Sequence, residues 1–421
     1  MQSARLFLSN PHSGRFFRAV CHLPGIRYDT LDMSTTLLHV HKAITPKGEI
    51  ADAGILVRDG EIESIGPRAD MTLPAGAQEV RAQDSTAIPG FIDVHIHGAG
   101  GRDVMEGTGD ALSTVTAKLA QFGTTSLLAT TVTADADDTV RAVEGISSYI
   151  ATQHETNTPR AEILGIHFEG PFLSKERRGV HRSEFLQLPS SDYLQRLLHA
   201  AAGNARILTI APELIGAMPC IDAARSLGMV VSIGHTDATY EQARAAVAHG
   251  AHHATHVYNA MRPFTHRDPG VIGAVLTTPE ITAELIADGI HVDEVAMKVL
   301  LQAKGADGVV LISDGLSATG MPDGQYMLGG MEVTVSGGVC RSTAEGRLAG
   351  STLTLDRALR NVVQLGVPFA GAVQMLTLNP AKVLGIEFKK GALRSGADAD
   401  IVLLNESLEI TQVWARGVAV H

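Results

Sequence analysis

The sequence predicts an α/β protein: a (β/α)8 TIM-like barrel with a small β-sandwich domain formed from both chain ends. Eight short apolar runs of β type alternate with amphipathic stretches between Phe91 and Asp314. Further β-type runs, without helices between them, stand before and after this region. Polar residues end nearly every one of the eight runs, which is where a barrel builds its active site.

Three regions follow from this pattern: an extension at 1–32, a β-sandwich domain at 33–88 plus 386–421, and a barrel at 89–385. Residues 1–32 carry several arginines and no acidic residue before Asp29, and no apolar secretory-signal run follows. This composition favours a poorly ordered extension before a second candidate start at Met33, with a transit peptide as the alternative.

The β-sandwich is predicted from short β-type runs near both chain ends. Asp59-Gly60 separates two of the first runs and is typical of a hairpin turn. The runs are Leu37–Val40, Gly54–Val57, Glu63–Ile65, Ile401–Leu404 and Gln412–Trp414.

The barrel strands are predicted from apolar, β-branched runs whose intervening helices often end at glycine. The strands are Phe91–His97, Thr125–Val132, Ile163–Glu169, Ile207–Glu213, Val230–His235, His253–Asn259, Ile281–Asp288 and Val309–Asp314. The amphipathic stretches include Ala111–Gln121, Tyr193–Ala202, Ile221–Leu227, Tyr240–His249 and Val295–Ala303. After the eighth strand we expect a β-type insertion at Met331–Val335 and helices at Leu355–Leu365 and Val373–Leu376. A doubly wound open sheet is the alternative on pattern alone.

Composition narrows the class of protein. The formal net charge is −11, and without a basic cluster such a surface disfavours nucleic acid. No apolar run approaches the roughly 18–20 residues of a membrane span. The three cysteines, Cys21, Cys220 and Cys340, are far apart, which argues against a disulfide framework and favours the cytoplasm.

Candidate metal ligands stand at the ends of four predicted strands. His95 and His97 are two apart on the first strand, so both imidazoles face the same side. Glu169 ends the third strand, where a buried carboxylate is costly unless it is paired or metal-bound. His235 and His256 end the fifth and sixth runs, and the mixed set suits Zn2+, Fe2+ or a similar divalent ion. Taken singly, each of these residues is as well explained by a salt bridge or an ordinary buried histidine.

Asp314 ends the eighth strand, across the barrel mouth from these candidates. A carboxylate in that position is suited to take a proton from metal-activated water and to protonate a leaving amine. The set as a whole predicts a metal-dependent hydrolase.

Several motifs resemble the amidohydrolase superfamily and, within it, the N-acetylglucosamine-6-phosphate deacetylase family. The superfamily motifs are Pro89–Gly98, Met375–Ala381 and Gly396–Val402. The motifs of the deacetylase family are His167–Phe172, Gly179–His181, Ala211–Glu213, Gly234–Ala238, Thr255–Met261, Ser313-Asp314 and Leu348–Ser351.

The resemblance implies a role for each matched residue. Glu169, His235 and His256 would be metal ligands, and Asp314 the general base and acid. His95 and His97 would permit a second metal site, so one or two divalent ions, most commonly Zn2+ or Fe2+, are expected per subunit. Residues expected to contact the phosphorylated amino sugar are Val180, His181, Asn259, Ala260, Arg267, His291, Leu348, Ala349 and Gly350. Arg267 would act from a neighbouring subunit, which implies a homodimer or a higher homo-oligomer.

Other functions remain open at this point. Cyclic amide hydrolases of the superfamily bridge two metals with a carboxylated lysine on the fourth strand, but Ile207–Glu213 contains no lysine. Another N-acyl sugar or an N-acyl amino acid is the alternative substrate, and a non-catalytic sugar-phosphate binder is the alternative of another class. Gly98–Gly101 lacks the spacing of a nucleotide-binding loop and fits a flexible loop at the barrel mouth.

Overall fold

The computed structural model describes residues 35–156 and 158–420, so the predicted extension at 1–32 lies outside the described residues. Strands and helices of the first part are β1 (Thr36–Thr45), β2 (Gly48–Arg58), β3 (Glu61–Pro67), β4 (Gln78–Pro89), β5 (Phe91–Ile96), β6 (Gly98–Ala99), β7 (Arg102–Asp103), α1 (Gly109–Ala120), β8 (Thr124–Thr131), α2 (Ala136–Thr152) and β9 (Glu162–Glu169). Next come α3 (Ser191–Ala201), β10 (Ala205–Ile210), α4 (Ala217–Ser226), β11 (Val230–Ile233), α5 (Tyr240–Ala248), β12 (Ala251–Ala254), α6 (Gly270–Thr277), β13 (Thr282–Ile286), α7 (Glu294–Lys304) and β14 (Val309–Ile312). The last are β15 (Gly324–Leu328), β16 (Met331–Ser336), β17 (Val339–Ser342), α8 (Leu355–Gln364), α9 (Phe369–Leu376), α10 (Leu378–Val383), β18 (Ile401–Leu404), β19 (Ile410–Ala415) and β20 (Val418–Val420).

Eight parallel strands form the barrel in the order β5-β8-β9-β10-β11-β12-β13-β14. The two ends of this sheet meet just beyond β14. The His97 N–H donates to the Gly315 carbonyl at 2.7 Å, and the Asp314 N–H donates to the His95 carbonyl at 3.0 Å. An open sheet would leave these edges unpaired, so the predicted barrel is confirmed and the doubly wound alternative is wrong.

Barrel strands are apolar on both faces because one face fills the interior and the other meets the helices. All residues of β5, β8 and β14 are buried. Several helices begin at polar caps, as in α1, where the Thr108 side chain accepts from the Ala111 N–H at 3.2 Å. The residues at the C-terminal end of each strand face the barrel mouth.

Both chain ends join in one small β module, as predicted. Its seven strands are ordered β20-β19-β18-β4-β1-β2-β3. The β3 edge also bonds to the segment before β18: the Ile62 N–H donates to the Ala397 carbonyl at 2.8 Å. The strands thus form a single sheet that curls around an apolar core containing Leu38, Ile55 and Trp414. The domain boundaries stay a prediction, since β4 continues to Pro89 at the edge of the barrel.

The insertion after the eighth strand is a three-stranded antiparallel sheet, β15-β16-β17, where one β segment was predicted. Its Leu328 and Val335 pack with Val132, Leu316 and Ala349 beside the barrel mouth. The insertion therefore supplies one wall of the mouth.

Three differences from the predicted elements have local causes. The sixth strand ends at Ala254 rather than at Asn259, because the chain turns there and His256 has a positive φ of 27°. Helix α2 was not predicted because its first turn is mostly polar. Helix α6 was not predicted because it is almost uniformly apolar and therefore lacks the helical period of apolar and polar residues. No helix among the described residues is long and apolar enough to cross a membrane.

Candidate metal centre and active site

A cavity of about 250 Å3 opens at the C-terminal ends of the barrel strands. Its walls come from strand ends, from the loop after β9 and from the segment after the inserted sheet. The lining residues are His97, Val132, Glu169, Gly179, Val180, His181, His235, His256, Asn259, Ala260, His291, Asp314, Leu328, Arg347, Leu348 and Gly350. The cavity has the position expected of a barrel active site.

The Glu169 carboxylate lies at the floor of this cavity, between two groups of imidazoles. Its Oε1 is 3.0 Å from His235 Nε2, 3.1 Å from His256 Nε2 and 3.3 Å from His95 Nε2. Its Oε2 is 3.3 Å from His97 Nε2. Oε1 therefore faces His235, His256 and His95 together, and Oε2 faces His97, so one carboxylate contacts all four imidazoles.

In three of the four candidate histidine ligands, the hydrogen bond at the far nitrogen decides which nitrogen is free for a metal. Nδ1 of His95 donates to the Glu284 carboxylate, that of His97 to the Thr130 carbonyl and that of His235 to the Arg177 carbonyl, each at 3.0 Å. These acceptors place the proton on Nδ1, so Nε2 keeps its lone pair, as metal-ligating histidines require.

One buried atom tests whether these residues fit a metal. His95 Nε2 is buried and has no hydrogen-bond partner among the described residues. It lies 3.3 Å from Glu169 Oε1 and 3.6 Å from Asp314 Oδ1. A buried lone pair without a partner is costly. A divalent cation between nitrogen and carboxylate donors would satisfy it, so the donor set fits.

Three of the candidate residues have an uncommon backbone conformation. His235, His256 and Asp314 have φ values of 47°, 27° and 49°, in or near the left-handed region. Such conformations cost about 1–3 kcal/mol per residue and persist only where the surrounding structure enforces them. Each follows the last residue of a barrel strand by one or two positions, where the chain bends and brings the side chain over the mouth.

Electrostatics keep the two acids of the site ionised. Burial would raise the pKa of Glu169, but the nearby His95 and the hydrogen bond from His181 Nε2–H hold it well below its usual value. Burial likewise opposes ionisation of Asp314, but its hydrogen bond with His97 and the charges of His95 and His97 together outweigh burial and lower its pKa. Both groups therefore carry negative charge at neutral pH, as a ligand and a base must.

The histidines respond to the same charges in opposite ways. Burial lowers the pKa of His235 to about 4, so it is neutral and able to ligate. Burial also disfavours charge on His97, but hydrogen bonds with Asp314 and Glu169 prevail and raise its pKa to about 10. The carboxylates thus favour a positive charge at His97, and a divalent cation supplies the same charge while displacing the proton.

Two further histidines border the cavity with defined tautomers. His181 Nδ1 accepts the Thr133 N–H at 3.2 Å, so Nε2 carries the proton and faces Glu169 Oε2 at 3.4 Å. His291 Nδ1 donates to Asp288 Oδ2 at 2.7 Å. Both side chains can therefore present a polar group to a molecule in the cavity.

Most of the predicted substrate contacts line the cavity, with two exceptions. Val180, Asn259, Ala260, Leu348 and Gly350 are among the lining residues. Ala349 is buried behind the wall, in the apolar cluster beside the mouth. Arg267 is exposed and does not line the cavity of its own chain.

Arg347 and Glu284 were not predicted from the sequence as site residues. Arg347 lies at the cavity mouth, where its Nη1 donates to the Gly179 carbonyl at 3.4 Å. Glu284 is fully buried below the imidazoles. A carboxylate inside the apolar run Ile281–Asp288 is a recognisable signal, because an unpartnered charge there would be costly. Arg347, in a loop, gives no such signal.

Comparison with known proteins agrees with this geometry. The model of the amidohydrolase family matches residues 86–420. The chain is 38% identical to the N-acetylglucosamine-6-phosphate deacetylase of Lysinibacillus sphaericus, covering 89% of this chain and 95% of that protein. It is 37% identical to the N-acetylgalactosamine-6-phosphate deacetylase of Escherichia coli O157:H7, covering 91% and 98%.

A solved structure gives the same result at the level of the fold. It is a variant of N-acetyl-D-glucosamine-6-phosphate deacetylase from Mycobacterium smegmatis in complex with N-acetyl-D-glucosamine 6-phosphate. It superposes with a TM-score of 0.84 at 34% identity, covering 92% of this chain and 99% of that chain. The chain therefore belongs to the amidohydrolase family, and its resemblance to the N-acetylglucosamine-6-phosphate deacetylases within that family is confirmed over most of its length.

Proposed function

We propose that this chain hydrolyses the acetamide of N-acetylglucosamine 6-phosphate to glucosamine 6-phosphate and acetate, in amino-sugar catabolism. The observation that carries the proposal is the cluster of imidazoles around Glu169, with Asp314 beside it. Relatives named for this reaction cover most of the chain. The geometry of the site supports amide hydrolysis, and the names of the relatives support the choice of substrate.

The metal would be held in two adjoining sets of ligands. Glu169, His235 and His256 form the first set, and His95 and His97 form the second, with the Glu169 carboxylate between them. Imidazole and carboxylate donors favour Zn2+ or Fe2+, with one or two ions per subunit. When bound, such an ion polarises the acetamide carbonyl and lowers the pKa of water from about 15.7 to about 7.

Asp314 is the proposed general base and general acid. Its Oδ1 lies 3.2 Å from His97 Nε2, at the edge of the proposed metal centre and facing the cavity. Because its pKa is lowered, the carboxylate is ready to accept a proton from the attacking water. The same oxygen then returns that proton to the amine nitrogen as the C–N bond breaks.

His181 is proposed to stabilise the carbonyl oxygen of the acetamide. The Thr133 N–H occupies its Nδ1, so its Nε2–H is directed towards the cavity floor near Glu169. A donor fixed in this way stabilises negative charge as it develops on the oxygen.

The sugar phosphate is proposed to bind along the opposite wall. Asn259, Ala260 and His291 line the cavity and are the proposed contacts on that side. Arg347 is the only lysine or arginine among the cavity-lining residues. It is therefore the cation of the same subunit that is proposed to bind the phosphate. Arg267, exposed on its own chain, would reach the phosphate of a neighbouring copy.

A second candidate substrate is N-acetylgalactosamine 6-phosphate. The Escherichia coli relative named for that reaction is 37% identical to this chain, within the 35–39% of the bacterial N-acetylglucosamine-6-phosphate deacetylases. The two sugars differ only at one hydroxyl, far from the acetamide chemistry. Other N-acyl sugars and N-acyl amino acids remain the broader alternative.

Location, assembly and domain limits belong to the same proposal. We propose a cytoplasmic enzyme that forms a homodimer or higher homo-oligomer, in which Arg267 would complete the site of a neighbouring subunit. The barrel would span 89–385, and the β module 33–88 plus 386–421.

Acetate release from N-acetylglucosamine 6-phosphate, its galactosamine epimer and unphosphorylated N-acetylglucosamine tests the proposal, with metal content measured on the same sample. We expect the fastest turnover on the first sugar and at least a hundredfold lower kcat/KM without phosphate. A metal-loaded protein that hydrolyses none of the three would contradict the assignment of substrate.

A further inference from the structure

Glu284 lies beneath the proposed metal centre, at the middle of the seventh barrel strand, β13. Its carboxylate is fully buried and points into the barrel interior, because it contacts residues of β5 and β12. It does not line the cavity, so it touches no substrate. Any role it has in the reaction must therefore act through its neighbours.

Three donors converge on this carboxylate. Oε2 accepts from His95 Nδ1–H and from the His256 N–H, and Oε1 accepts from His253 Nε2–H, each at 3.0 Å. Two of the three donors belong to proposed metal ligands. Glu284 thus contacts one residue of each ligand set.

The bond to His95 fixes a ligand side chain. An ionised carboxylate only accepts hydrogen bonds, so it holds the proton on Nδ1 and leaves Nε2 as a lone pair. That Nε2 has no hydrogen-bond partner among the described residues and lies 3.3 Å from Glu169 Oε1. A carboxylate behind a histidine in this way also raises the basicity of the ligand.

The bond to His256 fixes a ligand backbone. His256 has a φ of 27°, a conformation that its neighbours must enforce. The Glu284 side chain accepts its N–H, and the Glu284 carbonyl accepts the next N–H, that of Val257, at 3.0 Å. Glu284 therefore clamps the turn that carries His256 Nε2 to within 3.1 Å of Glu169.

From these contacts we propose that Glu284 is a positioning residue that couples the two ligand sets of the metal centre. It orients His95 for one set and the His256 turn for the other, so metal binding in both depends on it. The inference rests on the metal centre of the proposed function and adds a residue outside the ligands themselves.

Glu284→Gln tests the role with little change in shape. The amide keeps one acceptor oxygen but presents a donor where the second oxygen was, so the three donors can no longer all be accepted without rearrangement. Loss of a carboxylate behind a metal-ligating histidine typically costs 10–100-fold in affinity. We expect Zn2+ and Co2+ to bind about tenfold more weakly, with an altered Co2+ absorption spectrum.

The matched control is Asp400→Asn, which also removes a buried carboxylate. Asp400 pairs with Lys390 at 2.8 Å and lies in the β module, away from the cavity. It should lose stability while keeping wild-type metal affinity. Glu284→Asp is the second variant. The shorter side chain keeps the negative charge but places the carboxylate farther from the three donors, so this variant should also bind metal more weakly.

Metal affinity is measured on the full chain by competition with a chelator, in the absence of substrate. Weaker metal binding in either folded Glu284 variant, with unchanged binding in Asp400→Asn, supports the inference. Wild-type metal affinity and a wild-type Co2+ spectrum in a folded Glu284 variant would overturn the role of Glu284 and leave the proposed metal centre standing. A wild-type protein that binds no divalent ion would overturn the proposed metal centre as well.

Discussion

Replacing Asp314 with asparagine isolates the proton transfers from the shape of the site. Asparagine accepts the left-handed backbone about as readily as aspartate does, so the φ of 49° should persist. Its amide oxygen can occupy the position of Oδ1, 3.2 Å from His97 Nε2. What is lost is the group that takes a proton from water and returns it to the amine.

The expected loss follows from the number of steps involved. A positioned acid or base contributes about 10²–10⁴-fold, and Asp314 is proposed to serve as both. We therefore predict a fall in kcat of about 10³–10⁴-fold, equivalent to about 4–5.4 kcal/mol at 1.36 kcal/mol per factor of ten. KM should change little, because Asp314 is not proposed to bind the sugar.

The assay is steady-state acetate release, with metal content measured on each preparation. Asp138→Asn, which alters an exposed carboxylate on α2, serves as the control and should retain full activity. A metal-replete Asp314→Asn enzyme that keeps more than a tenth of the wild-type kcat would refute the assignment of Asp314 as base and acid.

Three further predictions concern stability, phosphate recognition and thiol reactivity. Lys390→Met removes an ammonium that lies 2.8 Å from carboxylates in a nearly buried cluster, and so leaves those carboxylates unpaired. Urea titrations should therefore show an unfolding free energy lower by about 3–5 kcal/mol, while the kcat of the folded enzyme stays unchanged. Arg347→Gln should raise KM for the phosphorylated sugar about tenfold with kcat nearly constant, whereas the exposed Arg341→Gln should not; equal KM values in the two variants would exclude Arg347 from phosphate binding. Burial and Asp314 raise the pKa of Cys340 to about 12, so its thiol should not react with a disulfide reagent at pH 8 until the chain unfolds, and rapid labelling of Cys340 in the native protein, located by peptide mapping, would contradict this.

The barrel and most of the site could be predicted because two simple rules operate together. Parallel strands buried on both faces are apolar runs, and the ends of those runs meet at one face of the barrel. Glu169, His235 and Asp314 are polar residues at such ends, and the structure brings them into one cavity. The histidines two apart on the first strand lie on the same side, as the strand period requires.

What could not be predicted depends on contacts between strands. Glu284 lies inside an apolar run, and its partners His95 and His253 come from β5 and β12, which a single run does not reveal. The turn at His256 was assigned to a strand because its left-handed backbone depends on hydrogen bonds to Glu284 rather than on local propensity. Arg347 reaches the cavity only because the inserted sheet brings its loop to the mouth.

The measurement that tests the central claim most directly is acetate release from N-acetylglucosamine 6-phosphate by the chelator-treated protein, before and after addition of Zn2+ or Fe2+. We expect negligible hydrolysis by the metal-free protein and recovery of activity in proportion to the metal bound. Full hydrolysis by a folded protein shown to be free of metal would contradict the claim that this barrel mouth is a metal-dependent deacetylase site.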